Sequence, residues 1–189
     1  VNQMLNKLKK KTMSGTSKKL ELRMYGLVPY NISPIQQAIQ FGHAVVEYGL
    51  QYGKTKEYLD WAKNWKTFII LNGGTTNEGE LLTMKNRHLA IPDKNGNLSN
   101  VNIGSMLSHA IELKNIGIKY ATFFEPDLND ALTAIVFIVD ERVFNKKKYP
   151  DYDINELILK PPTHDKWLKS IGGEKNTKLR DFLKQFRLA

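Results

Sequence analysis

At 189 residues, with 41% hydrophobic and 10% aromatic content, the chain is long enough for one domain with a sizeable core. The absence of cysteine excludes disulfides and thiolate metal sites. The four His are scattered, no apolar run reaches the length of a membrane span and no signal-peptide pattern opens the chain, so a soluble cytoplasmic protein with no metal and no cofactor is expected.

Residues 1–19 carry six Lys and no acid, and Ser14-Gly15-Thr16-Ser17 lies among them. They read as a basic, disordered tail in which Met13 is an alternative start. Leu20–Val28 alternates and reads as a first strand. Pro29–Ile32 leads into a helix over Ser33–Leu50, with Ser33 as N-cap, Pro34 at the first helical position and Gln36 completing a capping box. Ile35, Ala38, Ile39, Gly42, Val45, Val46, Gly49 and Leu50 recur at helical spacing and are expected to make the apolar face; Gln36, Gln40, His43 and Glu47 make the other. A solvent face ordinarily carries Lys and Glu, so a row of Gln, Gln and His marks a contact surface.

Thr55–Lys63 reads as a second, short helix. Trp65–Asn72 contains the apolar run Phe68–Leu71 and is expected to be a strand buried on both faces. Residues 73–102 form an insert rich in Gly, Asn and Thr, with a turn signal at Asn95-Gly96. Gly104–Ile116 is a third helix that buries Met106, Leu107, Ala110, Ile111 and Leu113 and closes at Asn115 and Gly117. Lys119–Glu125 is a strand, Pro126–Asp130 a turn, and Ala131–Val139 another buried strand. Asp140–Asp153 reads as surface loop, and Ile154–Ile171, broken by Pro161-Pro162, as irregular chain with short helical pieces. Asn176–Phe186 is a terminal helix capped by Asn176 or Thr177, with Leu179, Phe182, Leu183 and Phe186 packing down.

This order predicts an α/β layer fold over 20–189: a mixed sheet of about four strands flanked by helices, with right-handed crossovers and the last two strands as antiparallel neighbours. Neither a G-x-G-x-x-G nor a P-loop is present; Asn72-Gly73-Gly74-Thr75 follows a strand but opens no obvious helix. Of the net charge of +9, residues 1–19 hold +6 and residues 175–189 hold +4, which leaves the body nearly neutral. Two basic ends suit contact with a polyanion, and equally a solubilising tail and a solvated helix face.

Gln37-Ala-Ile-Gln-Phe-Gly-His-Ala-Val45 resembles the V-A-A-Q-C-S-H-A-A helix of type-2 peptidyl-tRNA hydrolases, with Gln40, His43 and Ala44 in register. Phe68–Leu71 is similar to the family's K-V-V-V-K strand. Lys114–Tyr120 followed by Phe123–Val136 stands where the family has a helix, a strand, a catalytic loop with Asp and Thr, and the last strand. Phe182-Leu-Lys-Gln-Phe-Arg-Leu188 resembles the Y-L-K-K-F-R-L ending of the divergent peptidyl-tRNA hydrolase domain-containing subgroup of eukaryotes and phages. The resemblance covers about residues 20–144 and 176–188. It implies a peptidyl-tRNA hydrolase-like fold, peptidyl-tRNA or tRNA as partner, and no membrane. The oligomeric state stays open, a homodimer included.

The family's catalytic Lys, which precedes its helix phrase, falls on Gln36, and its second Lys on Asn72. Its catalytic Asp falls on Glu125, or on Asp127 with a shifted loop. Hydrolysis of the peptide–ribose ester needs an aimed water, a base and oxyanion donors. The resemblance makes Glu125 or Asp127 the base, and Gln36, Asn72 and the N–H groups of Gly73 and Gly74 the donors. An amide lacks the charge of an ammonium, and charge-assisted hydrogen bonds are roughly twice as strong, so weakened activity or silent tRNA binding is implied.

Gln40, His43, Thr133, Lys85 and Arg87 are substrate-binding candidates, with His88 beside the last two. Each has a plainer role: Gln36 as capping residue, His43 as a packed helix His, Glu125 and Asp127 as turn caps, Thr133 as a strand hydroxyl, and Lys85 and Arg87 as solvated loop charge. Tyr58, Trp61 and Trp65 suit the core or the stacking of an unpaired base. Ligand sites of open α/β sheets lie beyond the strand C-termini, so the helix residues, Asn72-Gly73 and Glu125–Asp127 are expected to converge at one sheet edge.

Overall fold

Strand β1 spans Leu22–Val28, β2 Thr67–Asn72, β3 Tyr120–Glu125 and β4 Ala131–Asp140 in a computed structural model that describes residues 19–76, 105–152 and 164–189. They form one mixed sheet in the order β2-β1-β4-β3. β1 runs parallel to β2, with Leu27 beside Leu71, and antiparallel to β4, with Leu27 beside Ile135. β3 and β4 are antiparallel neighbours, as their tight link requires. That link is a 3-10 turn, Pro126–Leu128, followed by Asn129 and Asp130 at φ 53° and 55°. Asn and Asp tolerate this left-handed region better than other residues with a Cβ.

Side chains alternate across the sheet and build a core on each face. On one face Met24, Val28, Ala134, Val136 and Ile138 pack under α1, Pro34–Tyr52. Beside α1 lies α2, Lys56–Asp60, capped by Thr55 and running straight into a π-helical turn, Trp61–Trp65. Trp61 is buried in this core, and Tyr58 and Trp65 pack partly buried against it. On the other face Tyr25, Leu27, Ile135, Phe137 and Val139 pack under α3, Ser105–Ile116. Short α4, Glu141–Phe144, and α5, His164–Ser170, precede α6, Glu174–Leu183, which buries Leu179 and Phe182 in this second core, with Leu183 and Phe186 packed against it.

Several expectations are corrected. α1 turns Gln40, Phe41, Ala44 and Tyr48 to the core, while Ile35, Ile39, Val46 and Leu50 are exposed. The spacing defined two faces, but the sheet takes the one with the large aromatics and offers Gln40 polar partners. β2 is an edge strand and half-exposed, not buried on both faces. Its apolar run is covered locally: Phe68 meets Phe41 and Trp61 edge-on at 5.2 and 5.4 Å. The C-terminal residues close its free edge, where the Asn72 N–H donates to the Arg187 carbonyl and the Ala189 N–H to the Ile70 carbonyl at 2.9 and 3.1 Å. An edge so paired no longer offers a template to other strands.

The stretch after β4 is not plain surface loop. Asp140 caps α4, and Val143 is buried. α6 begins at Glu174 after Gly173, not at Asn176 or Thr177. Gly172 and Gly173, at φ 92° and 95°, make the turn into it. The Asn176 amide is instead buried and donates to the Ile171 carbonyl at 2.7 Å. Arg180, counted with the basic end, is 3% exposed and holds the segment after β4. Its guanidinium donates to the Arg142 and Tyr149 carbonyls and pairs with Asp151 at 2.9 Å.

The tail expected over 1–19 lies outside the described residues except for Lys19, which pairs with Asp60. The insert beyond Thr76, with Lys85, Arg87, His88 and the Asn95-Gly96 turn, lies outside them too, as do residues 154–163 of the stretch Ile154–Ile171. No helix among the described residues is long and apolar enough to cross a membrane.

Candidate functional site

The site begins with a glycine. A Cβ at Gly26 would collide with the Phe41 ring, so β1 lets α1 settle directly onto the sheet. This close approach brings Gln40, one residue before Phe41, down onto the β3–β4 end of the sheet. Gln40 is 6% exposed and has two partners there.

The first is Thr133. Phe123 pairs with Ala134 but Phe124 with Leu132, so β4 carries one residue more than β3 at this point and Thr133 is the bulged residue. Bulges re-aim a side chain that regular pairing would send to the other face. The fully buried Thr133 hydroxyl donates to Gln40 Oε1 at 2.8 Å, with the Phe123 carbonyl a longer alternative at 3.4 Å. The second partner is Glu125, at the end of β3, whose Oε2 accepts from Gln40 Nε2. The carboxylate fixes which way the amide points, because a flipped Gln40 would set its oxygen against Glu125.

The other carboxylate oxygen, Oε1, accepts from the Asp127 N–H at 3.4 Å and caps the 3-10 turn. Glu125 is half-buried. A carboxylate offers about four acceptor positions, so Glu125 is oriented from two sides and retains capacity for a water. His43, one turn beyond Gln40, is exposed and stacks on Phe123 with ring centres 4.5 Å apart. Gln40, His43, Glu125 and Thr133 are thus brought together on the β3 side of α1.

The other candidates are placed elsewhere. Gln36 is exposed and engaged in the capping box: its Oε1 accepts from the Ser33 N–H at 3.1 Å, and its own N–H donates to Ser33 Oγ. Asp127 is exposed beside the cluster. Asn72 ends β2 at the same end of the sheet as Glu125 but on the opposite lateral edge, with β1 and β4 between them. At 4.7–4.9 Å per strand that is roughly 14 Å. Its Oδ1 accepts from the Gly74 N–H at 2.9 Å, and the Gly73 N–H donates to the Val28 carbonyl at 2.8 Å. Neither reaches the Glu125 cluster, so the convergence of all these residues at one edge is not what the fold makes. Lys85 and Arg87 lie outside the described residues.

Two contributors were not among the site candidates read from the sequence. Gln37 Nε2 donates to the Pro29 carbonyl at 3.0 Å and pins the loop that leads into α1. Phe123 is the ring on which His43 rests. Among the described residues no three His, Asp or Glu side chains converge as metal ligands do.

At the other end of the sheet a cavity of about 260 Å³ lies among Tyr48, Glu57, Lys119, Asp140, Arg142 and Lys175. Burial raises the Glu57 carboxyl above its ordinary range there. Asp140 grips Arg142 Nε and Nη2 at 3.0 and 2.7 Å, an arrangement that ties the start of α4.

No protein-family model matches the chain, and no curated protein matches its sequence.

Proposed function

We propose that the protein is a type-2 peptidyl-tRNA-hydrolase-like esterase, acting on the ester between a peptide and the ribose of tRNA. One observation carries the reading: the chain Thr133–Gln40–Glu125, with the carboxylate held at the open end of β3. Glu125 is the base. It takes a proton from a water whose oxygen bonds to the ester carbonyl carbon; the carbon–ribose oxygen bond breaks, and the proton passes to the leaving ribose oxygen. Thr133 fixes the Gln40 amide, and the amide fixes the carboxylate. His43 on Phe123 offers an exposed flat surface beside it, suited to an unpaired base at the tRNA end. A tRNA substrate goes with a cytoplasmic location.

A second reading has its own observation. Gln36 and Asn72, which stand at the two Lys positions of the resembled family, are taken up by a helix cap and a turn. The site then has no described cation for the oxyanion, which favours slow turnover or a silent tRNA-binding module. Incubation of the purified protein with peptidyl-tRNA separates these readings. Peptide release that disappears in Glu125→Ala supports the esterase. Binding of tRNA that weakens with salt, without release, supports the module. If neither occurs, both readings fail.

A further inference from the structure

The outer face of α1 carries four of the exposed large hydrophobic residues of the described chain. Ile35, Ile39, Val46 and Leu50 are 71%, 49%, 62% and 76% exposed. With Gly42 they make one stripe at helical spacing along the whole helix. No exposed residue of α1 is Asp, Glu, Lys or Arg. A contiguous apolar patch of this kind marks an interaction surface. Gly42 sharpens the point: a Cβ there would meet nothing within 4 Å, so nothing inside the described fold requires a glycine. A glycine in mid-helix destabilises it relative to alanine, and its use is close approach by another backbone.

We propose that this face joins two copies of the chain, α1 packing antiparallel on α1 of the partner across a two-fold axis beside Gly42. The stripe is self-complementary about that point. The axis lays Ile39 on the partner's Val46 and Ile35 on the partner's Leu50, with the glycine gap between the two pairs. An isologous contact of this sort needs no second kind of surface. Charge favours the same occupant: on a chain of net charge +9 this face is neutral, so it attracts no polyanion and lets two like-charged copies meet.

Size sets the strength. A helix of 19 residues is about 28 Å long and about 10–12 Å wide, so each copy offers a footprint on the order of 300 Å². A stable interface removes about 800 Å² per partner, and smaller ones are transient. The dimer is therefore weak and concentration-dependent. The inference is independent of the reaction at Glu125.

Sedimentation equilibrium of the full chain over a wide concentration range tests it. The weight-average mass should rise from 21.7 kDa toward twice that value as concentration increases. Val46→Glu, at an exposed position, should keep the fold by circular dichroism and weaken association about tenfold or more, because it buries unpaired carboxylates at the contact. Gly42→Ala should keep or raise the thermal midpoint yet weaken association. The chain has no cysteine, so Ile39→Cys/Val46→Cys should form a covalent dimer on mild oxidation, and Ile35→Cys/Val46→Cys should not. A monomer at every concentration overturns the proposal and leaves the face to a different partner. So does association that survives Val46→Glu unchanged.

Discussion

At the scale of single residues, the unit that matters is the buried amide of Gln40. Its two ends serve two groups that otherwise lack partners of comparable geometry. Gln40→Leu leaves the fully buried Thr133 hydroxyl with only its long contact to Phe123 and frees Glu125 on one side. An unsatisfied buried group costs about 1–3 kcal/mol, and chemical denaturation should show a loss of that size. The double variant Gln40→Leu/Thr133→Val should cost less than the sum of the two single changes, so a double-mutant cycle should give a clear coupling. Additive losses would mean that the two side chains do not act together.

The residue types of this cluster were legible in the sequence. The direction of Gln40 was not, because helical spacing separates two faces without saying which one a sheet will accept. Nor was the bulge that turns Thr133 to α1, because it depends on pairing between two strands.

His109 makes a second residue-scale test. Its ring meets Phe182 and Phe186 edge-on at 5.9 and 4.7 Å, and burial holds its imidazole below the ordinary value near 6.5. The folded chain therefore keeps it neutral while the unfolded chain takes up a proton as pH falls below 6.5. Stability is full above that pH and is lost as pH drops toward the folded value. Urea midpoints should fall between pH 7.5 and 5.5, and His109→Phe should flatten that slope. Glu57, raised by burial, acts in the opposite sense at lower pH. The difference between wild type and variant therefore isolates the imidazole.

At the scale of elements, α1 and β1 are matched through Gly26 and Phe41. Gly26→Ala places a methyl against the Phe41 ring and forces α1 away from the sheet. Such overpacking costs about 1–3 kcal/mol. Gly26→Ala/Phe41→Leu should recover part of the loss in thermal midpoint, and no recovery would place the strain elsewhere. The elements themselves were largely readable. Ser33-Pro34 and Gln36 set the start of α1 as a capping box does, and the buried run of β4 reads as the centre of a sheet. β2 misled because an equally apolar run sits at an edge, covered by Phe41, Trp61 and the last residues of the chain rather than by a neighbouring strand. Sequence proximity carries no sign of that tail. The Gly172-Gly173 turn likewise took the helix start away from Asn176, whose amide was needed by the preceding chain.

At the scale of the whole molecule, composition and element order sufficed for a mixed four-stranded α/β sheet between two helical layers. The gathering of site residues was legible only in part. Strand C-termini do lie at one end, but the order β2-β1-β4-β3 sends Asn72 and Glu125 to opposite edges, and strand order is a long-range property. Net charge was likewise coarser than the fold, since Arg180 serves the interior. The central claim is that Glu125 is the base of an ester hydrolysis. The rate of peptide release from peptidyl-tRNA, measured at single turnover for wild type and Glu125→Gln, tests it most directly. The substitution removes the base and keeps an oxygen for Gln40 Nε2, while its amide nitrogen replaces the oxygen that accepts the long 3.4 Å contact from the Asp127 N–H. The account predicts release by the wild type above the uncatalysed rate and a fall of about 100-fold or more in the variant, the scale of a lost general base, with the fold retained by circular dichroism and the thermal midpoint lowered only by the loss of the turn cap. Equal rates in the two proteins, or no release by the wild type, would contradict it.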